Sequence, residues 1–170
     1  MSEEMFDLVN EEGEVIGQAP RSRCHGDPSL LHQVAHVFVI NDENELALQL
    51  RPSHKKIQPD RWDTSVGGHL DSGETPEQAA YREMKEELGV EAPLELLYRY
   101  VWRTEIESEL VYTYLCKYSG ELHPHPTELA EARWWKSDEI EGNLGSGLFT
   151  PNFEVEWNKL KQWKAENGQV

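Results

Sequence analysis

Six residues, Arg82-Glu83-Met84-Lys85-Glu86-Glu87, concentrate the chemistry this chain can offer. At about 100° per residue, Glu83, Glu86 and Glu87 share one face of a helix. Carboxylates held that close repel one another unless a cation neutralises them. Hard oxygen ligands of this kind suit Mg²⁺ or Mn²⁺, which bind through a few carboxylates and the oxygens of a substrate phosphate. The competing reading is a solvated acidic face, the commoner fate of Glu-rich stretches. The flanks bound the helix under either reading. Thr75 is placed to cap it, Pro76 fits its first position, Gln78 can close a capping box, and Gly89 supplies a left-handed stop. Ala80, Tyr81, Met84 and Leu88 form the face that would pack, turned roughly 120° from the glutamates.

Around these residues runs a longer frame: Gly68, five residues, Glu74, seven residues, Arg82-Glu83-Met84, one residue, Glu86-Glu87, one residue, Gly89-Val90. Over positions 68–90 it resembles the signature of the Nudix hydrolases, with every fixed position filled. The resemblance implies an α/β/α sandwich with the signature as loop, helix and loop, and hydrolysis of a diphosphate linked to another moiety. It implies Mg²⁺ or Mn²⁺ held by Glu83, Glu86 and Glu87, with a backbone carbonyl near Gly67 and Gly68, assigned to Gly68, as a further ligand. Arg82 becomes an orienting partner for a glutamate, and Glu74 bonds within the loop. Glu86, Arg82 and Glu83 would carry the catalysis. The general base stays open between Glu86, ranked first, and the loop acids Glu128 and Glu131.

A second resemblance covers nearly the whole chain. His25 and, six residues on, His32 within LLHQVAHVFVIN, together with RPSHKKIQPDRWDTSVGGHL, look like isopentenyl diphosphate isomerase, a specialised branch of the same superfamily. It implies a second metal held by His25, His32, His69, Glu107 and Glu109, a reasonable donor set for Mn²⁺, Zn²⁺ or Mg²⁺. Arg51, Lys55, Lys56 and Arg61 fall where the isomerases place diphosphate-binding cations. The departures lie at Gly67, where the isomerase needs a cysteine that neither Cys24 nor Cys116 supplies, and in the intact hydrolytic helix. Gly67 would leave one side of the substrate facing backbone with no titratable group. The expectation is an isomerase-like Nudix hydrolase. An isomerase acting without the cysteine and a non-catalytic nucleotide or metabolite sensor are the alternatives.

Composition bounds the partners. The 170 residues suffice for one domain with its own core. With 16 Lys and Arg against 32 Asp and Glu, the formal net charge is −16, which excludes broad attraction to nucleic-acid polymers. A small-molecule diphosphate substrate remains compatible, because a divalent metal inverts the local charge. No apolar run approaches a membrane span and no signal peptide opens the chain, so the cytoplasm is expected. Two cysteines outside any C-x-x-C motif agree with a reducing compartment. A homodimer is left open.

The elements that must position these groups are mostly strands. Runs 5–9 and 15–18 flank a turn at 11–13 and give the N-terminal extension, 1–31, a β-hairpin. Strands are expected at 32–40, 45–51, 62–66, 94–102, 110–118 and 133–135, with a helical turn at 138–140 capped by Ser137. Phe153, Trp157 and Leu160 predict an amphipathic C-terminal helix over 151–167. Trp62 is expected in the core, and the histidines of His123-Pro124-His125-Pro126 are expected to be incidental. Many strands interrupted by one long helix and closed by another indicate an α/β (α+β) fold with a mixed sheet.

Overall fold

The apolar, β-branched run at the centre of the chain becomes the strand to which most others attach. The computed structural model describes residues 3–168; residues 1, 2, 169 and 170, counted above in the N-terminal extension and the single domain, lie outside the described residues. The order is β1 (Met5–Val9), β2 (Val15–Pro20), α1 (Arg21–Cys24), β3 (Leu31–Ile40), β4 (Leu46–Leu50), β5 (Trp62–Asp63), β6 (Val66–His69), α2 (Pro76–Leu88), β7 (Leu94–Arg103), β8 (Ser108–Lys117), β9 (Glu131–Trp135), α3 (Ser137–Asn143) and α4 (Pro151–Asn167). β3 pairs in parallel with β8 from Leu31 opposite Ser108 to Ile40 opposite Lys117. On its other side it pairs antiparallel with β6, His36 opposite Gly67. β7 returns along β8, β9 and β5 flank β4, and β4 meets β3 at Ile40 opposite Leu46. The result is a curled mixed sheet.

Alternation along β3 sends Ala35, Val37 and Val39 to one face and Phe38 and Ile40 to the other. α2 packs Ala79, Ala80, Met84 and Leu88 on the first. Phe153, Trp157 and Leu160 of α4, with Ile140 of α3, cover the second. Each such Leu or Phe removed from water contributes about 1.5–3 kcal/mol. Helix, sheet and helix are therefore stacked as the sandwich requires.

Three expectations are corrected. Tyr81 does not pack with Met84: it is 37% exposed, and its hydroxyl accepts the Leu94 N–H at 3.1 Å. Ala79 takes its place in the buried stripe. The strand expected at 62–66 divides, because β5 pairs with β4 whereas β6 pairs with β3. Buried Ser65 lies at the break, its hydroxyl donating to the Ala47 carbonyl and accepting the Val39 N–H. Ser137 is the first helical residue rather than the cap; the Lys136 N–H donates instead to Glu139, at 2.9 Å.

The N-terminal hairpin is tied to the loop before α2 by Asp7. One carboxylate oxygen accepts from Gln18 (2.9 Å) and the Ser72 hydroxyl (2.8 Å), the other from the Gly73 N–H (2.9 Å). Cys24 and Cys116 are buried free thiols. No described helix is long and apolar enough to cross a membrane.

Candidate active site

α2 is bounded as its flanks require. The Thr75 hydroxyl accepts the Gln78 N–H (3.1 Å), the Gln78 side chain accepts the Thr75 N–H (3.0 Å), and Gly89 stops the helix at φ 68°. Arg82 is the hub of the signature. It donates twice to Glu74 at 2.8 Å, to Glu83 at 2.6 Å, to the His69 carbonyl at 3.1 Å and, more loosely, to Glu86 at 3.5 Å. Those Arg82 bonds hold the Glu74 carboxyl below its ordinary value, and Glu74 also accepts the Asp71 N–H within the loop. Glu87 accepts from Gln49 (2.6 Å) and the Gly67 N–H (3.4 Å). Burial, then the adjacent Glu83, pushes the Glu87 carboxyl well above its usual range. The Glu86 side chain is 57% exposed. A Cβ at Gly68 would stand 2.6 Å from Glu83 Oε2, so only glycine lets that carboxylate lie against the β6 backbone.

A second cluster forms at the far ends of β3, β6 and β8. His32 faces Glu109 in register across β3 and β8. His69 ends β6, and His25 and Glu107 reach in from the turns before β3 and β8. His25 Nε2 and His69 Nε2 are 3.2 Å apart. Carboxylate oxygens lie 3.7–4.0 Å from the imidazoles: Glu109 from His32 (3.7 Å) and His69 (3.8 Å), Glu107 from His25 (3.9 Å) and His32 (4.0 Å). Phe6 stacks on both His32 and His69, with centroids at 5.2 and 4.8 Å. Both ring nitrogens of fully buried His32 lack a partner among the described residues, a deficit that costs about 1–3 kcal/mol per group. Burial pushes His69 down to about 3 and lowers His25, keeping both imidazoles neutral. Burial and then Glu109 drive the Glu107 carboxyl upward. Neutral His25 and His69, converging with the unpartnered ring of His32 beside two carboxylates, are the kind of donors a divalent cation takes, so the donor set fits a metal.

The two sets differ in convergence. Ligand atoms within 4.8 Å of one another occur, among the described residues, in His25–His32–His69 and in His32–Glu107–Glu109. Glu83, Glu86 and Glu87 do not form such a triad, and the Glu86 side chain is the exposed one of the three. Glu83 and Glu87 border both a cleft of about 380 Å³, shared with Glu86, Lys55, His125 and Glu128, and a larger one of about 610 Å³, which reaches the histidine cluster.

Arg51, Lys55 and Lys56 line the larger cleft. Arg51 is held by the Ile57 carbonyl at 2.9 and 3.1 Å, and Lys55 lies 3.6 Å from Glu128. Arg61 is not brought to either cleft; its guanidinium turns to the Phe149 carbonyl, 3.5 Å away. Glu128 borders both clefts, and Glu131, at the start of β9, borders neither. Trp62 is buried edge-on against Trp135, as expected of a core residue. His125 is more than incidental. Its Nδ1 accepts the Thr127 and Glu128 N–H groups (3.3 and 3.2 Å) and so shapes the turn carrying Glu128.

Two groups escaped the sequence reading. His36 stands against Gly67, where no titratable group was expected: a Cβ at Gly67 would lie 3.2 Å from its Cδ2. Its Nδ1 meets the fully buried Glu156 at 2.9 Å. A signal existed for both. His36 shares the side of β3 that carries His32, and Glu156 interrupts the apolar stripe of Phe153, Trp157 and Leu160.

The description NUDIX domain matches residues 30–153. The chain is 36% identical to an isopentenyl-diphosphate Delta-isomerase of Paenarthrobacter aurescens, over 77% of this chain and 75% of that protein. It is 33% identical to an uncharacterised Nudix hydrolase of Listeria monocytogenes, over 88% and 90%. The crystal structure of DR0079 from Deinococcus radiodurans aligns with TM-score 0.73 at 27% identity, over 86% and 92%.

Proposed function

The chain belongs to the Nudix family, and from that premise we propose that it is a metal-dependent pyrophosphohydrolase acting on a small molecule that carries a diphosphate linkage. The observation that carries this reading is the complete α2 arrangement, Arg82 fixing Glu74 and Glu83 while Glu83 lies against Gly68. Glu83, Glu86 and Glu87, with the Gly68 carbonyl, would hold Mg²⁺ or Mn²⁺, which when bound neutralises the diphosphate and lowers the pKa of an attacking water. Arg82 keeps Glu83 aimed, and Gln49 keeps Glu87 in place. Arg51, Lys55 and Lys56 receive the outer diphosphate oxygens along the larger cleft. Glu86 takes the proton as general base, with Glu128, across the smaller cleft, as second candidate. His25, His32, His69, Glu107 and Glu109 would hold a second cation.

An isomerase reading is favoured by the 36% identical relative. One tube separates the two. Nucleoside di- and triphosphates, nucleotide sugars and prenyl diphosphates, isopentenyl diphosphate included, are incubated with Mg²⁺ and Mn²⁺ and followed by phosphorus and proton NMR. The expected result is release of a phosphorylated product from at least one compound and no dimethylallyl diphosphate. Isomerisation at an enzymatic rate without phosphate-bond cleavage would overturn the proposal.

A further inference from the structure

His36 borders the larger cleft yet has no part in the reaction as described. It rises from the middle of β3 on the face covered by α4, and its Nδ1 lies 2.9 Å from Glu156 Oε2. The other oxygen of Glu156 accepts the Thr113 hydroxyl at 2.7 Å. Glu156 is held ionised and can only accept, so Nδ1 carries a hydrogen and donates it. Burial alone would strip the ring of charge; the Glu156 carboxylate, helped by Glu109 and Asp63, overrides burial and holds the imidazole up at about 9. Glu156 is lowered in turn, chiefly by His36 and against its own burial. Nε2 has no hydrogen-bond partner among the described residues. Beside it stands Gly67, where a side chain would begin 3.4 Å from Nε2 and 3.2 Å from Cδ2 and cover that edge of the ring. Glycine keeps the edge uncovered.

The location matters as much as the ring. Gly67 precedes Gly68, which seats Glu83, and His69, which belongs to the histidine cluster. His36 therefore stands between two groups of carboxylates, in a cleft that also holds Arg51, Lys55 and Lys56. Those cations sit on long side chains. His36 is locked at both ends of its tether, with a side chain only 14% exposed, so little freedom is lost when it meets a ligand.

We propose that His36, presented past Gly67 and oriented by Glu156, is a substrate-binding residue that donates Nε2–H to a phosphoryl oxygen of the diphosphate. This deepens the pyrophosphohydrolase reading and rests on it for the identity of the anion. It gives Gly67 a reason of its own, and it makes Glu156 a positioning residue acting through His36.

The test uses methylenediphosphonate, a diphosphate analogue that cannot be hydrolysed at its bridge, with Mg²⁺ and the full chain. Long-range nitrogen–proton NMR of the histidines is expected to show Nε2 of His36 shifting on saturation. His36→Gln, which can still donate to Glu156, is expected to weaken calorimetric binding roughly tenfold or more. Gly67→Ala keeps the His36–Glu156 pair and crowds the ring edge, and is expected to weaken binding in the same direction should His36→Gln fail to fold. Unmoved His36 signals at saturation, or unchanged affinity in a folded His36→Gln protein, overturn the proposal. A wild type that hydrolyses nothing but shifts His36 supports it while removing the hydrolase reading. Hydrolysis with silent His36 signals overturns it and leaves the hydrolase intact.

Discussion

Glu83 and Glu87 of α2 and His25 and His69 of the histidine cluster border one cleft, but the protein holds the two groups in opposite ways. On α2 each inward-facing group has a protein partner: Glu83 has Arg82, and Glu87 has Gln49 and the Gly67 N–H. At the other cluster, fully buried His32 has neither ring nitrogen bonded among the described residues, and its carboxylate neighbours stand at 3.7 Å or more. The first set is satisfied in the protein alone and suits a cation that arrives with substrate and leaves with product. The second carries an unmet demand for a ligand, which is what a resident cation relieves. Exposure separates them further, since Glu86 is largely in solvent whereas His32 is sealed beneath Phe6. Under the proposed function, the α2 carboxylates would form an exchangeable site and the histidine cluster a retained one.

The largest effect should come from the exchangeable site. Glu87→Gln is expected to lower turnover on the order of 10²–10⁴-fold, the range for loss of a positioned catalytic group. Because the folded protein raises the Glu87 pKa, the ionised form destabilises the metal-free fold at neutral pH, and relief comes as pH falls. The melting temperature of the metal-free variant should therefore rise while its activity collapses. Near wild-type turnover would remove α2 from the mechanism. Gly68→Ala comes next: the added carbon must displace the Glu83 carboxylate, and a shift near 1 Å costs on the order of 10²-fold in kcat. Full activity in that variant would show that the seat of Glu83 is unimportant.

The retained site is probed by melting with Mn²⁺. At about 100 times its dissociation constant a ligand stabilises by about 2.7 kcal/mol, which for a chain of this size raises the melting temperature by roughly 5–11 °C. The protection should survive Glu87→Gln and vanish in His32→Gln. The reverse pattern would invert the comparison. The smallest effect concerns His36 and Glu156, with Glu109 of β8, Asp63 of β5 and Tyr100 of β7 among the ionisable groups whose fields they feel. The folded pKa of His36 is raised to about 9, so its stabilisation is complete below the unfolded value near 6.5 and is lost as pH rises through about 9. Thermal melts from pH 7 to pH 10 should decline more steeply in the wild type than in His36→Gln. Parallel curves would mean that the pair is electrostatically idle.

How much of this was legible depended on whether a residue's reach is local. The cap at Thr75 and the stop at Gly89 follow from spacing along one helix, whereas the resemblance implied only that Arg82 orients a glutamate, without naming Glu74 and Glu83 as its partners. Arg61 was misplaced because its neighbour Trp62 is anchored in the core and turns the guanidinium toward the segment before α4. Thr64–Ser65 looked like uninterrupted strand because the partners of the break, Ala47 and Val39, lie on other strands. His36 and Glu156 are separated by 120 positions, so each carried a sign of oddity but neither named the other. Phe6 was read only as a strand residue, and nothing in its neighbourhood points to three histidines.

Asp7 has a further consequence. It grips Gln18 within the hairpin and Ser72 and Gly73 within the loop that leads into α2, while Phe6, one position earlier, is wedged against His32 and His69. A displacement of β1 would therefore disturb the contacts of both residue sets. The hairpin and the signature loop are expected to open as one unit, so that amide exchange in both should slow together when a ligand engages either set. Reciprocity follows: a partner that clasped the hairpin would tighten the grip on a cation some distance away, without touching it.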